Sequence, residues 1–174
     1  QRQMCIRDRQ EAEQYQLFCV RVRYMEEEGE VSYWAILFNA EDFSDMLDRF
    51  MMVEEIMAYD NAIMDELLAT QAQIDQWAAD CFATIPQGAS DYDKALGVFT
   101  YIIQHADYQV VDNNSIVNIM VGGAGLCGCY AKTTQYLLGL LGVDTAYITG
   151  QAQGESHAWN LAWLDGTPCW IDTT

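Results

Sequence analysis

Gly122-Gly123-Ala124-Gly125-Leu126-Cys127-Gly128-Cys129-Tyr130-Ala131 turns from a glycine run into an apolar stretch that continues to Leu141 and stops at Gly142. The glycines predict a flexible connector, the residues from about Cys127 to Leu141 a helix, and Gly142 its end. Beyond it the pattern changes to strand-like runs: Val143 to Thr149, His157 to Leu164 and Pro168 to Asp172. Asp165-Gly166 joins the last two as a tight hairpin. Upstream, Ser90 or Asp91 can cap a helix with Leu96, Phe99, Ile102 and Ile103 on its inner side. Asp112-Asn113-Asn114-Ser115 is a turn, and Ile116 to Val121 is one or two helical turns. Helices first and an antiparallel sheet second make this an α+β domain.

Before Pro86 and Gly88 the organisation differs. Gln10 to about Arg23 favours helix, and Val31 to Phe38 fits a buried helix better than a strand. Asp42 or Ser44 can cap a long helix in which Met46, Phe50, Val53, Met57, Met64, Leu67 and Ile74 follow alternating four- and three-residue steps. Asp60 and Gln71 fall on the same seam. Such steps keep one stripe toward a partner helix, as in a coiled coil; the alternative is an amphipathic helix lying on a globular core. The expected division is a helical coiled-coil arm over 10–84 and a second domain over 85–174. Residues 1–9 concentrate basic charge, lack apolar periodicity and resemble the translation of a sequencing adapter, so they are set aside as an artefact. The chain is expected to be a fragment open at both ends.

Composition narrows the function. The chain has 174 residues, 51% of them hydrophobic, and a formal charge of −18. After Arg49 only Lys94 and Lys132 are basic, against fifteen Asp and Glu. Without a basic stripe to displace counterions, nucleic acid is excluded as a partner, and anionic membrane surfaces are disfavoured. No apolar run approaches the roughly 18–20 residues that span a bilayer.

Chemistry concentrates around one cysteine. Six are present: Cys5, Cys19, Cys81, Cys127, Cys129 and Cys169. None stands in the paired spacing of a zinc site, and a disulfide connectivity cannot be read from the sequence. Cys127 follows the glycine run at a helix start, where unpaired N–H groups and the helix dipole favour a thiolate. The same N–H groups can stabilise an oxyanion. His157 opens a strand, and Asp172 lies on the partner strand of the hairpin. A carboxylate there can hold one imidazole nitrogen and leave the other for a thiol. Trp159 and Tyr130 are expected to pack beside the site, and His105 to be a solvated or satisfied histidine. Asn160 is given no role.

The local sequences are more specific than the residue types. Gly125-Leu126-Cys127-Gly128-Cys129-Tyr130-Ala131, His157-Ala158-Trp159-Asn160 and Trp170-Ile171-Asp172-Thr173-Thr174 resemble the three core motifs of transglutaminase-like cysteine domains, in that order and thirty and fifteen residues apart. Tyr101 to Tyr108 looks like the helix that precedes the nucleophile in bacterial members. The resemblance covers about residues 91–174. It implies a papain-like or transglutaminase-like α+β core, with the cysteine helix packed on an antiparallel sheet. It also implies Cys127 as nucleophile, His157 as base and Asp172 as its partner, with no metal or organic cofactor. The expected substrate is a peptide or protein amide, with water or an amine as acceptor; the alternative is a catalytically inactive transglutaminase-like scaffold used for binding. The family usually has glycine where this chain has Cys129, and a side chain there can crowd the site or pair oxidatively with Cys127 or Cys169.

A second resemblance covers about residues 10–80. Phe18 to Met25, Val31 to Phe38, Phe43 to Arg49 and Ile56 to Asp60 look like the coiled-coil hairpin of secreted bacterial peptidoglycan hydrolases. It implies an exported bacterial protein, extracellular or associated with the cell wall. Peptidoglycan peptides become candidate substrates, and the membrane-bound division machinery becomes a partner for the arm.

Overall fold

The computed structural model describes residues 40–152 and 154–174. The chain divides into two compact units, 1–65 and 66–174. The expected helices at 10–23 and 31–38, and the proposed adapter residues, lie outside the described residues.

Helix α1 spans Phe43–Ala83. Asp42 caps its start, its carboxylate accepting from the Asp45 N–H at 2.9 Å. Along the helix, Asp45 pairs with Arg49 at 2.9 Å, and Gln71 and Gln76 donate to Asp75 and Asp80 at 2.8 Å, each four residues on. These are the one-turn neighbours that support a helix with a polar side. Met46, Phe50, Met57, Met64 and Leu67 of the expected seam are exposed among the described residues, whereas Val53 and Ile74 are buried. Among the described residues no helix is long and apolar enough to cross a membrane.

In the 66–174 unit, Ile74, Ala78 and Cys81 bring one face of α1 into the core. Helix α2, Asp91–His105, adds Ala95, Val98 and Ile102 at helical spacing. Its start has two caps. The Ser90 hydroxyl accepts from the Asp93 N–H at 3.1 Å, and the carboxylate of Asp165, distant in sequence, accepts from the N–H groups of Asp91 and Tyr92 at 3.0 and 3.3 Å. The second cap ties α2 to the hairpin that carries Asp172.

Two expectations are corrected between α2 and the cysteine helix. Tyr101 to Tyr108 is not wholly helical: α2 stops at His105, and strand β1, Asp107–Tyr108, follows. The glycine run is not a loose connector. After the short helix α3, Ile116–Met120, strand β2, Ala124–Gly125, pairs in parallel with β1, placing Tyr108 opposite Gly125. The Asp107 N–H donates to Gly123 O at 2.8 Å and the Gln109 N–H to Gly125 O at 3.0 Å. Glycine is needed here for closeness: a Cβ on Gly125 would lie 2.7 Å from Cβ of Cys129.

Helix α4, Cys127–Leu140, packs on a three-stranded antiparallel sheet of order β3-β4-β5. The strands are β3, Thr145–Ala152, β4, Glu155–Leu164, and β5, Thr167–Ile171. They begin or end a few residues from the expected runs, because ladder pairing and not apolar content sets strand limits. Asp165 and Gly166, both at positive φ (51° and 81°), make the expected hairpin turn. Along β4 burial alternates: Ala158, Asn160, Ala162 and Leu164 are buried, and the residues between them less so. Leu137 and Leu138 of α4 and Ile171 of β5 close the core.

Candidate active site

Cys127 is the first residue of α4. The residue before it, Leu126, makes no side-chain cap, and the first turn closes through the N–H groups of Cys129 and Tyr130, which both donate to Leu126 O. The N–H groups at the very start of the helix therefore lack intrahelical acceptors, as helix starts do. Cys127 is half-buried and its sulfur is free.

His157 and Asp172 meet across the sheet. The His157 Nε2–H donates to Asp172 Oδ2 at 2.8 Å. Asp172 Oδ1 accepts from the backbone N–H and the hydroxyl of Thr174 at 3.2 and 2.7 Å. Burial raises the Asp172 pKa, but the hydrogen bonds from His157 and Thr174 outweigh it, so the carboxyl titrates below its ordinary value. Thr173 turns the other way and is buried, its hydroxyl 3.2 Å from that of Thr134 on α4. That contact fastens the residue after Asp172 to the cysteine helix. With Nε2 given to Asp172, Nδ1 is the ring atom left for a thiol. Among the described residues no hydrogen bond joins the Cys127 sulfur to the His157 ring; the two are related through α4 packing on β3 and β4.

Trp159 stacks on His157 with ring centroids 5.7 Å apart, and Trp170 meets Trp159 edge-on at 6.2 Å. Gly150, opposite His157 in the ladder, leaves room for this indole: a Cβ there would lie 2.7 Å from its Cη2. Tyr130 is buried beside Tyr108, with ring centroids 6.0 Å apart. His105 lies outside the site, its Nδ1 2.8 Å from Tyr101 O and its ring stacked on Tyr101. Asn160 is buried, and its Nδ2 donates to Ala146 O at 3.5 Å.

Cys129 neither crowds the site nor pairs with another cysteine. It is fully buried and free, and its thiol donates to Asn113 O at 3.3 Å. Asn118 Nδ2 lies 3.6 Å from the same sulfur. The thiol thus faces the Asn113-Asn114 turn and Asn118 in α3. Cys81 is also a core thiol, its pKa pushed up to about 11 by burial.

Two tyrosines escaped the sequence reading. Tyr108 on β1 is close enough to feel charge on Cys127, and Tyr147 on β3 to feel charge on Cys127 and Cys129. For both phenols burial is the main cause of a raised pKa, and the negative charge of a Cys127 thiolate adds to it. The signals for Tyr108 were its place at the end of the Tyr101 to Tyr108 segment, three residues past the end of α2, and a glycine run that needed a partner.

No curated protein matches the chain. Among solved structures it resembles a transglutaminase (TGase) with 17% identity and a TM-score of 0.53, covering 70% of this chain and 37% of that one. It also resembles a candidate cysteine protease from Cytophaga hutchinsonii with 22% identity and a TM-score of 0.51, covering 58% of this chain and 37% of that one. The chain thus spans well under half the length of either structure, and the likeness is one of fold. Residues 6–76 match the family of the coiled-coil domain of the peptidoglycan hydrolase PcsB. Residues 77–173, more than half of the chain, match the transglutaminase-like superfamily, and the chain belongs to that family.

Proposed function

We propose that this protein is an exported bacterial cysteine hydrolase that cleaves peptide amides through a thioester acyl-enzyme at the cell wall. Cys127 attacks the carbonyl carbon, the C–S bond forms, and the carbonyl π pair moves to oxygen. His157 holds the thiol proton and returns it to the leaving amine as the C–N bond breaks. Asp172 keeps the imidazole oriented and stabilises its charged form. Water then releases the acyl group; an amine in its place would make the same site a cross-linking acyltransferase. The observation that carries this reading is the 2.8 Å His157–Asp172 hydrogen bond, in a sheet on which the uncapped start of the Cys127 helix packs.

The match of residues 6–76 to a peptidoglycan-hydrolase coiled-coil family supports the cell wall as the place of action. On this reading peptidoglycan peptides are the preferred substrates, and the arm docks to the membrane-bound division machinery. The test is to incubate the chain with purified peptidoglycan and, separately, with casein, and to identify products by mass spectrometry. New amino and carboxyl ends in the peptidoglycan peptides, absent with Cys127→Ala, are expected. Cleavage of casein alone would move the enzyme away from the wall. Products that persist in Cys127→Ala would remove the nucleophile assignment.

A further inference from the structure

We propose that Trp159 is a positioning residue for the base: its indole, seated over Gly150, fixes the plane of the His157 ring and with it the direction of Nδ1. The inference rests on His157 being the base that serves Cys127, and it adds a constraint that Asp172 alone does not supply. In a histidine, Nε2 lies nearer the Cβ–Cγ axis than Nδ1 does. Rotation about that bond therefore swings Nδ1 while disturbing less the 2.8 Å contact of Nε2 with Asp172. The torsion is a broad one, without deep staggered wells of its own. A stacked neighbour sets the plane directly. Trp159 follows His157 by two residues on β4, so both side chains rise from one face of the sheet. Their rings are 27° from parallel with centroids 5.7 Å apart, an offset stack.

The indole is itself held in place. Gly150 stands opposite His157 in the β3–β4 ladder, and a Cβ there would lie 2.7 Å from Cη2 and 3.4 Å from Cζ3 of Trp159. Gly150 is not at positive φ, so glycine supplies room here and not a special backbone conformation. A glycine inside a strand weakens it and marks such a close approach. From β5, Trp170 meets the indole edge-on at 6.2 Å. The cover shows in the exposure: the His157 side chain is 19% exposed, against 47% for its partner Asp172. When His157 takes the thiol proton, the proton passes from Sγ to Nδ1, the S–H pair stays on sulfur, and Nε2–H stays with Asp172. The ring is then a cation, and an indole face within about 6 Å attracts it. One contact thus orients the base before the transfer and holds it afterwards. Trp159 acts through His157 and takes no part in bond making.

The test is acetylation of Cys127 by p-nitrophenyl acetate in the full chain, with each cysteine followed by peptide mass spectrometry. His157→Ala sets the scale of the loss. Trp159→Leu is expected to slow acetylation about 10–10²-fold, the cost of a misplaced base. Trp159→Phe keeps an aromatic face and should stay within about threefold of the parent. Gly150→Ala pushes on the indole and should slow the reaction about tenfold, a loss that disappears in the Trp159→Leu background, where the space is free. Cys129, fully buried two residues beyond the nucleophile, reports on the fold in the same spectra and should stay unmodified in every variant. Modification of Cys129 in step with the loss at Cys127 would make Trp159 a structural residue and overturn the proposal. Trp159→Phe as slow as Trp159→Leu, or losses from Gly150→Ala and Trp159→Leu that multiply, would overturn it too. So would a Trp159→Leu chain as fast as the parent while His157→Ala is slow. If His157→Ala is itself as fast as the parent, the base assignment fails first, and the role of Trp159 goes with it.

Discussion

The two oxygens of Asp172 divide their partners: Oδ2 takes the His157 ring and Oδ1 takes Thr174. A carboxylate held at both oxygens fixes the imidazole in one orientation and one tautomer. Asp172→Ala is therefore expected to lower the rate of Cys127 acetylation by about 10²–10⁴-fold, measured with p-nitrophenyl acetate. The pH dependence has a definite sign. A carboxyl whose folded pKa is depressed stabilises the fold fully above its unfolded pKa and loses that contribution as pH falls through the folded value. The Asp172 contribution to the melting difference between parent and Asp172→Ala should thus shrink as pH falls below the ordinary carboxylate range of about 4. The meeting of His157 with Asp172 was legible because the Asp165-Gly166 turn joins the strand of one to the strand that leads to the other. Cys129 was not, because a sequence does not say which way the third residue of a helix points. Here its thiol donates to Asn113 O. Tyr108 was missed because a lone tyrosine in a short strand has no pattern of its own.

At the scale of elements, one hairpin and one glycine bridge set the site. The hairpin turn residue Asp165 caps α2 through the N–H groups of Asp91 and Tyr92, a contact between segments distant in sequence. Asp165→Gly keeps the positive φ without strain and removes only the cap. It should cost about 0.5–2 kcal/mol in urea unfolding, the ordinary worth of an N-cap carboxylate. The glycine bridge makes a coupled prediction. Gly125→Ala places a Cβ 2.7 Å from the Cys129 Cβ and is expected to destabilise by about 1–3 kcal/mol. Cys129→Gly should recover part of that loss, so a double-mutant cycle should give a coupling of at least about 0.5 kcal/mol. Additive effects would mean that the two residues do not share the space the structure gives them. The helices and the Asp165-Gly166 turn were legible from periodicity and turn chemistry. The β1–β2 bridge was not, since parallel pairing of two-residue strands leaves no period to detect.

At the scale of the whole chain, a formal charge of −18 sets like charges against one another. Self-repulsion of this kind weakens as salt shortens the Debye length from about 30 Å at 0.01 M to about 8 Å at 0.15 M. Thermal unfolding should therefore shift upward by a few degrees over that range, read by circular dichroism; a downward shift would mean that attractive surface pairs dominate. The order of a helical arm before an α+β core was legible because the apolar spacing changes from helical steps to strand-like runs along the chain. The end of the long helix was legible too, because Pro86 and Gly88 break the pattern just past Ala83. Ile74, Ala78 and Cys81 follow at four- and three-residue steps and pack into the core of the 66–174 unit. The central claim is that Cys127 is a nucleophile activated by His157. It is tested most directly by iodoacetamide labelling of the full chain at pH 7, with rates assigned to each cysteine by peptide mass spectrometry. Cys127 is expected to react at least about tenfold faster than free cysteine and to lose that advantage in His157→Ala, while buried Cys81 and Cys129 stay unlabelled until the protein unfolds. A Cys127 that reacts no faster than free cysteine, at a rate indifferent to His157→Ala, would contradict the account.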